Sequence, residues 1–408
     1  MNMKHTADIL VIGGGAAGIS AAVAAKEANP AAEVMIAEKL PRIGKKILAT
    51  GNGRCNLGNV NILPEHYHGG LSNTMQIIEK FDLTSFFASL GVFCIADDSG
   101  RLYPHSNTAT SVVSAFCIRL AQLGIREVCG FNVKSIVKKD GKFIISDGES
   151  SICTQKIVIT VGGSAAPVFG TDGSFNRVLQ GIGHTFTPVY PAVAPLKVDP
   201  ESVRGLKGLR AKVRITAVVD GIKIAEELGE IQFNDGQISG ICVFNISHLW
   251  RLRKKEMTVL IDFAPQYDFN RLLDIINRLQ TVRTNCSIDE LLTGIFHKNI
   301  CAFLLKSLKI NLSDSVKNLE DRTLKLVANR IKSLEIPIIG VAPWANAQAT
   351  CGGICGKDVD ENLQSKICEG IYFAGEILDV DGICGGYNLM WAWASGTHAG
   401  RAAGGKIK

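Results

Sequence analysis

Twelve cysteines are present, yet no two form a C-x-x-C pair; the nearest, Cys351 and Cys355, have three residues between them. No cysteine–histidine spacing of a zinc site accompanies them, which argues against a metal module, and scattered thiols fit a reducing compartment. No run of five or six like charges occurs. The densest stretch, RLRKKE from Arg251 to Glu256, ends in an acid, and the net charge is a mild +6. That pattern suits a solvated turn better than a nucleic-acid face. A long apolar run is missing too: Ile383 to Ala399 is uncharged but short, and glycines, Asn388 and His398 interrupt it. The opening MNMKHTADILVIGGG has no secretory apolar region with a cleavage site. The expectation is a cytoplasmic protein with neither a membrane nor a nucleic-acid partner; the oligomeric state is not legible.

The length of 408 residues exceeds the roughly 250–300 at which one core stops growing, so two or three domains are expected. Residues 7–12 (ADILVI) form an apolar run without alternation, as in a strand buried on both faces. An Ala-rich helix over 15–28 and a strand over 33–38 complete a βαβ unit. Helical patterns follow at 75–90 and 108–123, then a hairpin around Asp140-Gly141 and a buried strand over 156–161. Short β-branched runs at 211–219, 222–227, 229–234 and 238–244 predict a β-rich insert. Between Asp268 and Glu335 the period turns helical, and residues 370–374 (GIYFA) read as a last strand.

Gly13-x-Gly15-x-x-Gly18 stands between the first strand and helix. The first glycine permits the tight turn, the second a close approach of a pyrophosphate, the third helix–strand packing; the helix N-terminus faces the phosphates. Glu38 ends the second strand, twenty residues beyond Gly18, where a carboxylate can hold a ribose. These features are common to NAD and FAD sites. The late segment IYFAGE resembles the strand with which FAD enzymes of the glutathione-reductase type end in Gly-Asp, here Gly375-Glu376 with one methylene more. The loop from Gly382 to Asn388 then leads into a helix whose N-terminus can face a flavin.

Six blocks carry a wider resemblance: GGGAAG at 13–18, EKLPRIGKKILATGNGRCN at 38–56, GRLYPHSNTATSV at 100–112, VGGSAAPVFGTDGS at 161–174, GEIQFNDGQISG at 229–240 and GIYFAGEILDVDGICGGYN at 370–388. The chain resembles the BaiN-like family of bacterial NAD(P)/FAD-dependent oxidoreductases. The resemblance implies an α/β Rossmann-like FAD-binding domain of the glutathione-reductase type (1–190 and 345–408). It also implies an inserted β-barrel-like domain (191–266 and 336–344) and a helical subdomain (267–335).

Cofactor contacts are expected from Gly13, Gly15, Ala16, Ala17, Gly18, Glu38, Lys39, Lys45, Gly51, Asn52, Gly53, Arg54, Cys55 and Asn56. Further contacts are expected from Val133, Thr160, Gly162, Gly163, Gly375, Glu376, Gly386, Tyr387, Asn388 and Leu389. Lys45 and Lys46 meet phosphates or are solvated; Cys55 packs or reacts. Tyr387 is the first candidate proton donor, ahead of Tyr103, His105, His66 and His68, and Arg54 a candidate for stabilising negative charge. The reading is FAD with NADH or NADPH as donor, reducing a small organic acceptor; that the acceptor is an activated C=C, as in a bile-acid-like enone, is implied by the resemblance alone. The alternatives are a flavin-dependent tRNA-modifying enzyme and a non-catalytic flavin redox sensor.

Overall fold

The protein is described by a computed structural model over residues 2–405. Two compact units divide it: residues 1–192 with 344–408, and residues 193–343.

In the first unit, β1 (Asn2–Ile12) lies parallel to β2 (Val34–Glu38) on one side and to the strand Ser150–Ile159 on the other. Ile9, Leu10 and Val11 are fully buried, as a central parallel strand covered on both faces requires. The seven-stranded sheet continues through Arg126–Cys129 beyond β2. Past Ser150–Ile159 come Ile371–Phe373, running parallel, and the antiparallel hairpin Lys142–Ser146 with Ser135–Lys139. Asp140 and Gly141 take positive φ at the hairpin tip, as a two-residue primed turn requires.

Helix α1 (Ala16–Ala28) is Ala-rich because another helix, Tyr387–Gly404, lies against its backbone. A Cβ on Gly396, Gly400 or Gly404 would come within 2.3, 2.2 and 2.5 Å of the carbonyl oxygens of Ala17, Ala21 and Ala25. Small residues at four-residue spacing on both helices let the two backbones meet. The helical pattern expected over 75–90 is two helices, Thr74–Glu79 and Leu83–Ser89, because Asp82 caps the second by accepting from Ser85 N.

In the second unit six strands close an antiparallel barrel in the order Leu196–Val198, Gln237–Ser239, Ile222–Asn234, Arg210–Val219, Met257–Asp262, Leu334–Val341. Alternate residues Val213, Ile215, Ala217, Ile231 and Phe233 fill it. The run 238–244 is not one strand. The chain turns at Gly240 (φ +107°), where a Cβ would lie 2.1 Å from Glu230 O, and continues as the helix Ile241–Ile246. Helices Phe269–Val282, Lys298–Lys306 and Asp321–Lys332 share one apolar core with the barrel.

Candidate functional site

The Gly-rich turn sits where β1 feeds α1 and is held from behind. Thr160 Oγ donates to Ile12 O and Gly13 O at 2.9 and 2.8 Å, and Gly13 N donates to Ala37 O. A Cβ on Gly13 would lie 2.6 Å from Thr160 O, whereas one on Gly15 would meet nothing within 4 Å. The back of the turn is therefore packed and its front open. The first turn of α1 leaves backbone N–H groups without intrahelical acceptors, and they carry the positive end of the helix dipole. In front lies a cleft of about 1410 Å³, its open mouth included, lined entirely by residues of the first unit.

Glu38 reaches this cleft from the end of β2, accepting from Gly14 N at 2.6 Å and from Leu40 N at 2.8 Å. It thus braces the turn while facing the open space. At Glu376 one oxygen accepts from Thr350 N at 2.6 Å and the other pairs with Lys46 Nζ at 2.9 Å. The additional methylene lets Glu376 tie the segment after the last sheet strand to the chain at 350 and to the turn at 46. Lys39 pairs with Asp172 at 2.7 Å. Burial pushes the Asp172 carboxyl up, but hydrogen bonds from Lys39, the Ser174 hydroxyl and Ser174 N outweigh it and bring it down to about 2.

The cleft gathers Gly13, Gly15, Ala16, Ala17, Glu38, Lys39, Lys45, Val133, Thr160, Gly162, Gly163, Gly375, Glu376, Asn388 and Leu389 from the expected set. Gly18 is turned away: a Cβ there would lie 1.8 Å from Gly13 O, so its role is packing. Gly51, Asn52, Gly53, Arg54, Cys55, Asn56, Gly386 and Tyr387 are not among its lining residues. Gly51 and Asn52 do adopt left-handed conformations, and Arg54 lies over the Tyr103 ring at 4.4 Å. Cys55 is fully buried, and burial pushes its thiol up to about 12, the state of an unreactive thiol. Asn56 Oδ1 is buried without a hydrogen-bond partner among the described residues, 2.7 Å from where a Cβ on Gly386 would stand. The Tyr387 hydroxyl donates to Asn61 O at 3.0 Å, and burial raises its pKa against a lowering influence of Arg101.

Several lining residues were not singled out from the sequence: Thr50 and Phe169 to Ser174, although they lie inside two of the quoted blocks, and Phe131, Asn132, Phe175, Asn176, Gln348 and Trp391. The Asp172-Gly173 turn within the block at 161–174 was the available signal for Phe169 to Ser174.

An open-fronted glycine turn at a helix N-terminus, an acid at the end of the neighbouring strand and a long cleft before both define a dinucleotide-binding α/β protein. The residues fit the adenosine diphosphate half of FAD, since the turn is open where a pyrophosphate needs clearance. Residues 7–402 match the family described as HI0933-like protein Rossmann domain, and the chain belongs to that family of FAD-dependent flavoprotein oxidoreductases. It is 35% identical over 401 residues to a 3-dehydro-bile acid delta(4,6)-reductase of Clostridium scindens, covering 96% of this chain and 98% of that one. It is 24% identical over 407 residues to a ribosomal RNA dihydrouridine synthase of Haemophilus influenzae, covering 96% and 97%. The fold is similar to that of a 3-ketosteroid-delta4-(5alpha)-dehydrogenase of Rhodococcus jostii, with a TM-score of 0.50 at 12% identity, covering 100% and 98%. No helix among the described residues is long and apolar enough to cross a membrane.

Proposed function

We propose that this protein reduces a C=C bond conjugated to a carbonyl in a small organic acceptor, with NADH or NADPH as the source of hydride. A steroid- or bile-acid-like enone is the first acceptor class to test. The observation that carries this reading is the 35% identity to a bile acid reductase, which runs through nearly the full length of both chains. In balance, the acceptor gains one hydride and one proton, and the nicotinamide leaves oxidised. FAD, when bound, supplies a two-electron relay between donor and acceptor.

The chain's own residues hold and orient. Gly15, Ala16 and Ala17 line the cleft at the N-terminus of the first helix, and their N–H groups would hold the phosphates of FAD, where a helix N-terminus favours negative charge. Glu38 would offer its remaining lone pairs to a ribose while bracing Gly14, and Glu376 with Lys46 braces another part of the lining of the same cleft. Tyr387 serves as proton donor in this reading only by giving up its bond to Asn61 O; Tyr387→Phe tests that role through the rate of acceptor reduction.

A second reading rests on the RNA-modifying relatives. Forming dihydrouridine also saturates a C=C conjugated to a carbonyl, so the bond chemistry is shared and the acceptor differs. The test is anaerobic mixing of the flavin-loaded protein with NADH and then NADPH, followed by an enone steroid or by unmodified ribosomal RNA. Bleaching of the visible flavin band by a nucleotide and its return with the steroid is the expected result. Return with RNA alone replaces the acceptor class. No bleaching by either nucleotide removes the nicotinamide donor and leaves a protein donor or a redox sensor.

A further inference from the structure

We propose that residues 165–176 form a latch across the cofactor cleft, closed by the Lys39–Asp172 ion pair, whose opening sets how fast FAD enters and leaves; this rests on the FAD reading above. Every residue from Phe169 to Asn176 lines the cleft, on the same space as Gly13 to Ala17 and Glu38. The segment is not a sheet strand. It leaves Ala166 in a left-handed conformation, makes a short 3-10 turn at Pro167–Phe169 and turns again at Gly170 and Gly173.

Its backbone ties are few: Ala165 N donates to Thr350 Oγ1 at 3.1 Å and Ala166 N to Trp344 O, while within the segment the Thr171 hydroxyl donates to Ala165 O, and Phe169, Gly170 and Asn176 donate to Ala166 O, Pro167 O and Gly173 O. Three lysines of one neighbouring stretch bind it as well. Lys39 pairs with Asp172 at 2.7 Å, Lys45 Nζ donates to Val168 O at 3.4 Å, and Lys46 Nζ to Ala165 O at 3.4 Å. Two of these ties are long and accept on carbonyls; the ion pair is the short one. It follows Glu38 directly, so it closes the cleft at the ribose-binding end. Side chains exposed at 35% and 40% keep the pair in reach of salt. Such a contact is strong enough to hold a loop and weak enough to release it.

A latch differs from a cofactor contact in what it does to the two rates. Weakening a latch that also closes over the empty cleft speeds uptake and release together. Losing a contact to FAD speeds release alone.

The experiment follows FAD fluorescence during binding to stripped protein, and again during release from the holoprotein into an excess of stripped trap protein. The variants are Asp172→Asn, Lys39→Met and the double. Both singles are expected to raise uptake and release about threefold, the scale of a half-exposed ion pair. For Asp172→Asn the dissociation constant should stay within about twofold, and the double should add nothing to either single's rates. Wild-type protein at ~1 M salt, where screening acts within about 3 Å, should approach the variants' rates. Unchanged rates in both singles overturn the latch. So does faster release without faster uptake, or additive effects in the double, either of which makes Lys39 a direct cofactor contact. Failure of the wild-type protein to bind FAD at all is seen before any variant is made, and it removes the FAD reading itself.

Discussion

The helix seam of the first unit and the interior of the barrel in the second pack with opposite residues. In the seam, Gly396, Gly400 and Gly404 bring one helix onto the carbonyls of Ala17, Ala21 and Ala25. In the barrel, branched and aromatic side chains at alternate positions, Val213, Ile215, Ile231 and Phe233 among them, fill a closed wall. The seam depends on side chains being absent, the barrel on their being present. The difference follows from what each supports. The helix α1 starts at the glycine turn that faces the cleft, so any shift of its axis moves that turn, whereas the barrel side chains belong to a separate core cluster.

The largest effects should separate the two packings. Gly400→Val places a Cβ 2.2 Å from Ala21 O, a backbone atom that cannot step aside. The expected outcome is protein that is insoluble, or that melts with a loss beyond the usual ~1–3 kcal/mol of overpacking and carries no flavin. Phe233→Ala empties a fully buried site and should cost about 3–5 kcal/mol in denaturant melts while flavin content per folded chain is retained. Equal flavin loss in both variants would break the comparison, since the barrel core would then bear on the glycine turn as directly as the seam does.

Ion pairs sharpen it at the next scale. In the second unit Lys332 Nζ donates to Asp262 at 2.6 Å and to the carbonyls of Ala264 and Tyr267, with side chains only 20% and 10% exposed. Lys332→Met strands the Asp262 carboxylate and should cost about 3 kcal/mol of stability, read in melts, without touching flavin affinity. In the cleft, Glu376→Gln keeps an acceptor for Thr350 N but gives up the Lys46 pair. It should weaken FAD binding about tenfold, roughly 1.4 kcal/mol, with little change in melting of the stripped protein. Titration by fluorescence quenching measures it, and affinity within twofold of wild type would make the pair a structural brace alone.

These contrasts also explain what was legible beforehand. The strand–turn–helix at Gly13, Gly15 and Gly18 and the place of Glu38 at the end of the next strand could be read because so tight a turn constrains the backbone itself, and few residue types satisfy it. The strand at 371–373 was legible from an apolar run meeting Gly375-Glu376. The barrel-like insert was expected, from the short β-branched runs and the resemblance together; the pairing that closes it was not legible, because it joins Leu196–Val198 to Leu334–Val341 across more than a hundred residues, and periodicity carries no pairing information over that span. The run at 238–244 looked like a strand because Ile, Cys, Val and Phe suit either structure, and only the close approach at Gly240 decides. The wall at 169–176 has no period at all, and its place in the cleft depends on contacts from Lys39, Lys45 and Lys46. Tyr387 was singled out by its loop, but a sequence cannot show that its hydroxyl is spent on Asn61 O.

The smallest expected effect is the pH response of the cleft's exposed pair. Asp172 is held down to about 2, burial opposing and Lys39, the Ser174 hydroxyl and Ser174 N prevailing. An unfolded aspartate titrates near ~3.9, so the folded state binds its proton less tightly than the unfolded chain. The stabilisation is therefore complete above pH ~4 and disappears as pH falls toward about 2. With 35% and 40% of the side chains in solvent, screening keeps it below ~1 kcal/mol. The melting difference between wild type and Asp172→Asn should be small and flat from neutral pH down to pH ~5, then vanish on approach to pH 2. A difference that stays unchanged from pH ~5 down to pH ~2 would mean that Asp172 keeps an ordinary carboxylate value in the folded protein. The segment would then hang on the two lysine–carbonyl bonds and on its backbone bonds to Thr350 Oγ1 and Trp344 O, and the closure of the cleft would lose its dependence on the ion pair.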